Sequence, residues 1–134
     1  MRRTLLPLAA AIAATASSPA RAAVHVGEVS SPRADALPVL RRAVEDEVAR
    51  LDVKRDAVVS VALVRLETAR GARGDAVTCV VSATLRTSSG NVFAILEGRA
   101  RAESDRPTTV ELTTMRTAVH SAISRIPDAL ERAR

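Results

Sequence analysis

Aromatic side chains are almost missing from this 134-residue chain, with Phe93 alone and no Trp or Tyr. Sites that hold bases stack them on aromatic rings, so one ring cannot furnish an extended platform and nucleic acid is not an expected partner. Cysteine is equally scarce. Cys79 is single, which rules out an intramolecular disulfide and any Cys-x-x-Cys metal or redox pair. It falls on the apolar side of a strand-like segment and reads as a small buried hydrophobe. His25 and His120 are the only imidazoles, and no His, Cys or acid falls at metal-ligand spacing. The chain has no Gly-x-Ser-x-Gly, phosphate loop or dinucleotide fingerprint. No cofactor, metal or catalytic residue is therefore expected, and the chain reads as a non-enzyme. The alternative is a small secreted hydrolase whose site is assembled from scattered groups such as Asp105, Glu111 and His120.

Long apolar runs are lacking too. The longest, Leu5 to Ala16, is interrupted by Pro7 and Thr15 and is too short to cross about 30 Å of hydrocarbon. Preceded by Arg2-Arg3 and followed by Ser17-Ser18-Pro19 and Ala20-Arg21-Ala22, it reads as a secretory signal peptide over residues 1–22, cut between Ala22 and Ala23. The expected destination is the periplasm or the extracellular space, with no stable membrane insertion after cleavage. Residues 1–22 hold three arginines and no acid, so the remainder carries 17 basic against 15 acidic residues and a formal charge of +2, not +5. That removes most of the electrostatic case for an anionic partner. Lys54 is the only lysine, so the high isoelectric point reflects arginine.

What remains, residues 23–134, has the size of one small domain whose core must be built from Val, Leu, Ile and Ala. Three strand-like segments organise it: Ala57–Glu67, Val77–Thr87 and Val92–Glu103. In the second, Val77, Cys79, Val81, Ala83 and Leu85 alternate with Thr78, Ser82, Thr84 and Arg86. In the third, Val92, Ala94, Leu96, Ala100 and Ala102 oppose Glu97, Arg99, Arg101 and Glu103. Period-two alternation is the mark of half-buried strands. Ser88-Ser89-Gly90-Asn91 supplies a turn between them. The first segment is apolar on both faces, which predicts a central position. Thr68–Ala76, rich in Gly and Arg, reads as a long exposed loop containing the tripeptide Arg73-Gly74-Asp75, itself ordinary turn chemistry.

Around these, Ala23 to Val29 alternates weakly and predicts a short strand. Asp35 is placed to cap a helix with Pro38 in its first turn and a stripe at Leu37, Leu40, Val44, Val48 and Leu51. Arg41–Glu45, Arg42–Asp46 and Asp46–Arg50 are spaced as i,i+4 pairs. A capping box at Thr108 and Glu111 opens a second helix with a stripe at Leu112, Met115, Val119, Ala122 and Ile126, and the residues after Pro127 add a last turn that buries Leu130. The predicted order is β-α-β-β-β-α: an α+β two-layer sandwich of about four strands, mostly an antiparallel meander, with two helices on one face.

One face of the sheet is left without helices. Val80, Phe93 and Ile95 are expected to make its apolar end, with Val58, Val64 and Leu66 beside them if Val59, Val61 and Leu63 face the helices. Arg99 and Arg101 rim it together with Glu97 and Arg86. Apolar area rimmed by charge predicts a contact surface for an envelope protein or for self-association. The order of leader, amphipathic helix, meander and a closing helix reading Ala118-Val-His-Ser-Ala-Ile-Ser-Arg-Ile-Pro127 resembles the small α/β domains of bacterial envelope accessory proteins, of the penicillin-binding-protein activator and curli secretion lipoprotein type. The lipid-bearing Cys of those lipoproteins has no counterpart here. The resemblance implies an exported accessory protein and transfers no functional residue.

Overall fold

The computed structural model describes residues 22–133. The segment read as a signal peptide lies outside the described residues except for Ala22, and so does the side chain of Thr108. Strand β1 (Val24–Ser30) leads through a 3-10 turn at Ala34–Ala36 into helix α1 (Leu37–Ala49). The strands β2 (Ala57–Gly71), β3 (Gly74–Arg86) and β4 (Val92–Ser104) follow, then helices α2 (Pro107–Ile123) and α3 (Ile126–Arg132). The sheet has the order β1-β2-β3-β4, with β1 parallel to β2 and the rest an antiparallel meander. The predicted α+β architecture and element order hold, with the closing helix divided at Ser124-Arg125 and Pro127 in the first turn of α3.

Among the described residues all the helices cover one face. Leu40 and Val44 of α1, Met115, Ala118, Val119, Ala122 and Ile123 of α2, and Ile126 and Leu130 of α3 form a single core with the sheet. From the strands come Val59, Val61 and Leu63 of β2 and Cys79, Val81, Ala83 and Leu85 of β3. Burying each large aliphatic side chain contributes roughly 1.5–3 kcal/mol, so these stripes account for the helices better than local propensity does. Gly98 is the point of closest approach. It pairs with Val81 on the covered face, and a Cβ there would lie 2.0 Å from the carbonyl oxygen of Ala118. Only a residue without a side chain lets the α2 backbone settle so low on β4. Between helices, Asp46 accepts from Arg116 at 3.4 Å and Glu47 sits 2.6 Å from His120 Nδ1.

Several local expectations change. Thr68–Ala76 is no loop: β2 and β3 stay paired as far as Gly71 opposite Gly74, and the turn is only Ala72-Arg73, with Gly74 at φ +125°. Polar composition hid this ribbon because its strands gain ladder hydrogen bonds without much burial, Glu67 to Arg70 all being exposed. Arg73 occupies the turn while Gly74 and Asp75 belong to β3, so the tripeptide bridges a turn and a strand. Asp35 does not cap α1, whose N-cap is Ala36; it pairs with Arg33 at 2.8 Å. Helix α2 begins at Pro107 with Arg106 as N-cap, so Thr108 is not at the capping position, and Glu111 turns to Arg33 at 3.3 Å. The intrahelical pair seen on α1 is Glu47 with Arg50 at i,i+3. Leu112, counted in the α2 stripe, is 43% exposed.

Candidate functional site

Two β-bulges decide which side chains reach the helix-free face. On β2 the register slips between Leu63 and Arg65, leaving Val64 as the extra residue. Leu66 is thereby turned opposite Cys79, toward the core, and Val64 is left 59% exposed. Between Leu85 and Arg86 the second slip sets Ala94 opposite Leu85 and Val92 opposite Arg86, with Phe93 extra. Val92 moves to the open face at 51% exposure, whereas Phe93 packs against the core. A bulge does this because one inserted residue inverts the side-chain parity of everything beyond it.

The five residues expected to make the contact face therefore separate. Ile95, opposite Thr84 and 67% exposed, stands on the open face, and Arg99 and Arg101 stand there too, opposite Val80 and Thr78. Val80 has the same parity but is only 5% exposed, flanked in register by Arg65 and Arg99. Phe93 is not on this face. It lines an open hollow of about 460 Å³ at the end of the sheet, with Leu130, Ala133, Thr87, Ser88, Arg55 and Asp56. Leu66, expected on the open side, is likewise on the covered one.

What the open face holds is more polar than the alternation implied. Ser60 accepts from the backbone N–H of Glu28 at 3.2 Å and from Arg86 Nη1 at 3.4 Å. With Ser30, Ser82 and Thr84 these residues line a shallow depression of about 180 Å³. The arginines are satisfied along their own strands: Arg99 on Glu97 at 2.5 Å, Arg101 on Glu103 at 3.5 Å, Arg65 on Glu67 at 3.6 Å. Such exposed pairs contribute about 0–1 kcal/mol each and leave both partners available to another surface. The apolar side chains Ile95, Val64 and Val92 stand among them. Val92 owes its exposure to a bulge, as Leu66 owes its burial, and no sequence signal marks either bulge. Outside the open face, Arg125 Nη2 donates to the carbonyl of Glu97 on the outer strand.

The groups of the hydrolase alternative are not brought together. Glu111 is held by Arg33 and by Thr68 Oγ1 at 3.4 Å, His120 by Glu47, and Asp105 lies beside Ser104 at 3.5 Å. Glu111 and His120 are nine residues apart on α2, about 13.5 Å along its axis. Arg33, hydrogen-bonded to Asp35 and then Glu111, keeps its proton more firmly than usual, and the same bond holds the Asp35 carboxyl below its ordinary range. Burial pushes the Cys79 thiol up to about 11, the opposite of nucleophilic activation. Among the described residues no cluster of three His, Cys, Asp or Glu is placed to hold a metal, and no helix is long and apolar enough to cross a membrane.

No protein-family profile matches the chain, and no curated protein does either. Among solved structures, a candidate lipoprotein from Caulobacter crescentus CB15 shares the fold, with a TM-score of 0.52 at 14% identity over 82% of this chain and 87% of that one. A lipoprotein from Neisseria meningitidis reaches a TM-score of 0.46 at 13% identity, over 84% of this chain and 99% of its own. For a minor lipoprotein from Acinetobacter baumannii the values are 0.41, 12%, 78% and 94%. At such identity the first likeness establishes fold alone.

Proposed function

We propose that this chain is an exported accessory protein of the bacterial envelope, periplasmic or extracellular, that works without a cofactor by binding another protein through its helix-free sheet face. The observation that carries the reading is that face itself. The described helices all lie on the opposite side, and Ile95, Val64 and Val92 are exposed on a face where Arg65, Arg99 and Arg101 pair only with neighbours on their own strands. None of these side chains belongs to the core, so the fold does not require them. The leader-like residues 1–22 support export, and the description of the Caulobacter protein as a lipoprotein agrees with an envelope setting. The resemblance to activator and curli secretion lipoproteins favours a partner protein over a small substrate.

A photo-crosslinking amino acid placed at Ile95 or Arg99, with a control at Arg41 on the exposed side of α1, tests this in the native envelope. Adducts at the two sheet positions and none at the control are expected, and Ile95→Asp should abolish the Arg99 adduct without altering the circular dichroism. An adduct of twice the chain mass would identify the partner as a second copy. Equal labelling at all positions, or none on the sheet, refutes the assignment of this face.

A further inference from the structure

The first strand begins one residue after the expected cut of the leader, and the backbone nitrogen just ahead of it faces a carboxylate. The backbone N–H of Ala23 donates to Asp56 Oδ1 at 2.8 Å, and the Ala23 carbonyl accepts from the N–H of Ala57 at 3.3 Å. This is the parallel register of β1 on β2, Val24 opposite Ala57, continued by one residue. Small residues at Ala20 and Ala22 place the expected cut before Ala23, whose N–H is the donor that meets Asp56.

We propose that in the exported chain the α-ammonium of Ala23 and the carboxylate of Asp56 form an ion pair that fastens the start of β1 to β2. The inference rests on the export reading above. Hydrolysis of the Ala22–Ala23 peptide bond by a signal peptidase adds the elements of one water. The C–N bond breaks, Ala22 leaves as a carboxylate and Ala23 keeps an ammonium at neutral pH. A neutral amide donor thereby becomes a charged one at a carboxylate already within hydrogen-bond distance, which strengthens the bond. The other charged side chain lining the hollow beside Asp56 is Arg55, a cation that cannot substitute for the carboxylate. A cut elsewhere would leave either a neutral amide or no residue at this position. Processing and strand closure would thus be matched to a single residue.

The test uses the full chain exported by a bacterial host and purified from the periplasm as wild type, D56N and D56E. Intact mass reads the first residue. Acylation of the α-amine at pH 7 by an N-hydroxysuccinimide ester, scaled to a free peptide of residues 23–27 in the same tube, then reads the pair. Lys54 carries the only other amine and is resolved by digestion. With Ala23 first, the wild-type and D56E amines should react about 1.5- to 5-fold more slowly than the D56N amine, the range an exposed ion pair supplies. An uncut chain overturns the export reading, and a first residue other than Ala23 overturns the cleavage point and the pair with it. Ala23 first, with equal rates in all three proteins, overturns the ion pair alone.

Discussion

Substituting Gly98 by alanine perturbs the tightest contact between the two layers. The added Cβ would lie 2.0 Å from the carbonyl oxygen of Ala118, 2.9 Å from the nitrogen of Ala122 and 3.0 Å from its Cβ. Ordinary contact begins near 3.4 Å, so relief of the 2.0 Å approach needs a retreat of roughly 1.4 Å. The obstacle is helix backbone, and a rotamer change cannot remove it. Separating α2 from β4 also loosens Ala118, Val119, Ala122 and Ile123, all buried. Overpacking costs about 1–3 kcal/mol, and a gap of even 0.5–1 Å forfeits a quarter to a half of each dispersion contact. Restricting the unfolded chain returns only about 0.4–1 kcal/mol. The expected net loss is about 2–3 kcal/mol, or a fall in Tm of roughly 10–20 °C for a domain of this size. Urea and thermal unfolding followed by far-ultraviolet circular dichroism measure it, since the chain has neither Trp nor Tyr. Gly90→Ala is the control: at φ +99° with nothing within 4 Å, its cost comes from backbone conformation alone. A Gly98→Ala protein within about 0.5 kcal/mol of wild type would refute the packing argument.

The buried thiol gives stability an alkaline limit. Burial raises Cys79 from 9.0 to about 11, so below pH 9 it is neutral in both states, and its stabilising contribution is lost as pH rises toward 11 because only the unfolded chain ionises. The slope is about 1.4 kcal/mol per pH unit, roughly 3 kcal/mol across the window. Tyrosine is absent and lysine single, so few other groups titrate there. Urea midpoints of Cys79→Ala should decline less steeply from pH 9 to 11, and parallel slopes would sink the account. Thr114, on α2, is 2% exposed, and among the described residues its Oγ1 has no hydrogen-bond partner. Thr114→Val should accordingly raise stability by about 1 kcal/mol in the same assay, and a loss would mean the hydroxyl is in fact satisfied.

The layer arrangement was readable because it depends on periodicity. Leu40 and Val44, or Cys79, Val81, Ala83 and Leu85, recur at the spacing of one helical or strand face, and burial followed that spacing. Caps were not readable to the same degree. Asp35 and Glu111 carry the right chemistry for helix starts, but Arg33 offers both a charge-assisted partner, and that competition is visible only once α2 lies beside the 3-10 turn. The ribbon at the end of β2 and β3 was hidden for a related reason. Its backbone pairs are long-range and its residues polar, so nothing in a local window distinguishes it from a loop.

The open face shows where period-two reading stops. A strand slipped by one residue presents its opposite side chains, so residues beyond each bulge take the face opposite to the one predicted. At the first bulge Leu66 went inward while Val64 stayed outward as expected; at the second Phe93 went inward and Val92 outward. In both cases a large side chain was buried, and at the second bulge the hydrophobic effect favours Phe93 over its smaller neighbour Val92 for the buried place. The chain thus withdraws its only aromatic ring from the open face and leaves smaller aliphatics there, spaced among hydroxyls and self-paired arginines. A partner suited to that surface would engage it over a broad area with modest apolar insertions and many polar contacts. The crosslinks from Ile95 and Arg99 should accordingly lead to a folded protein surface on the partner, not to a single deep pocket.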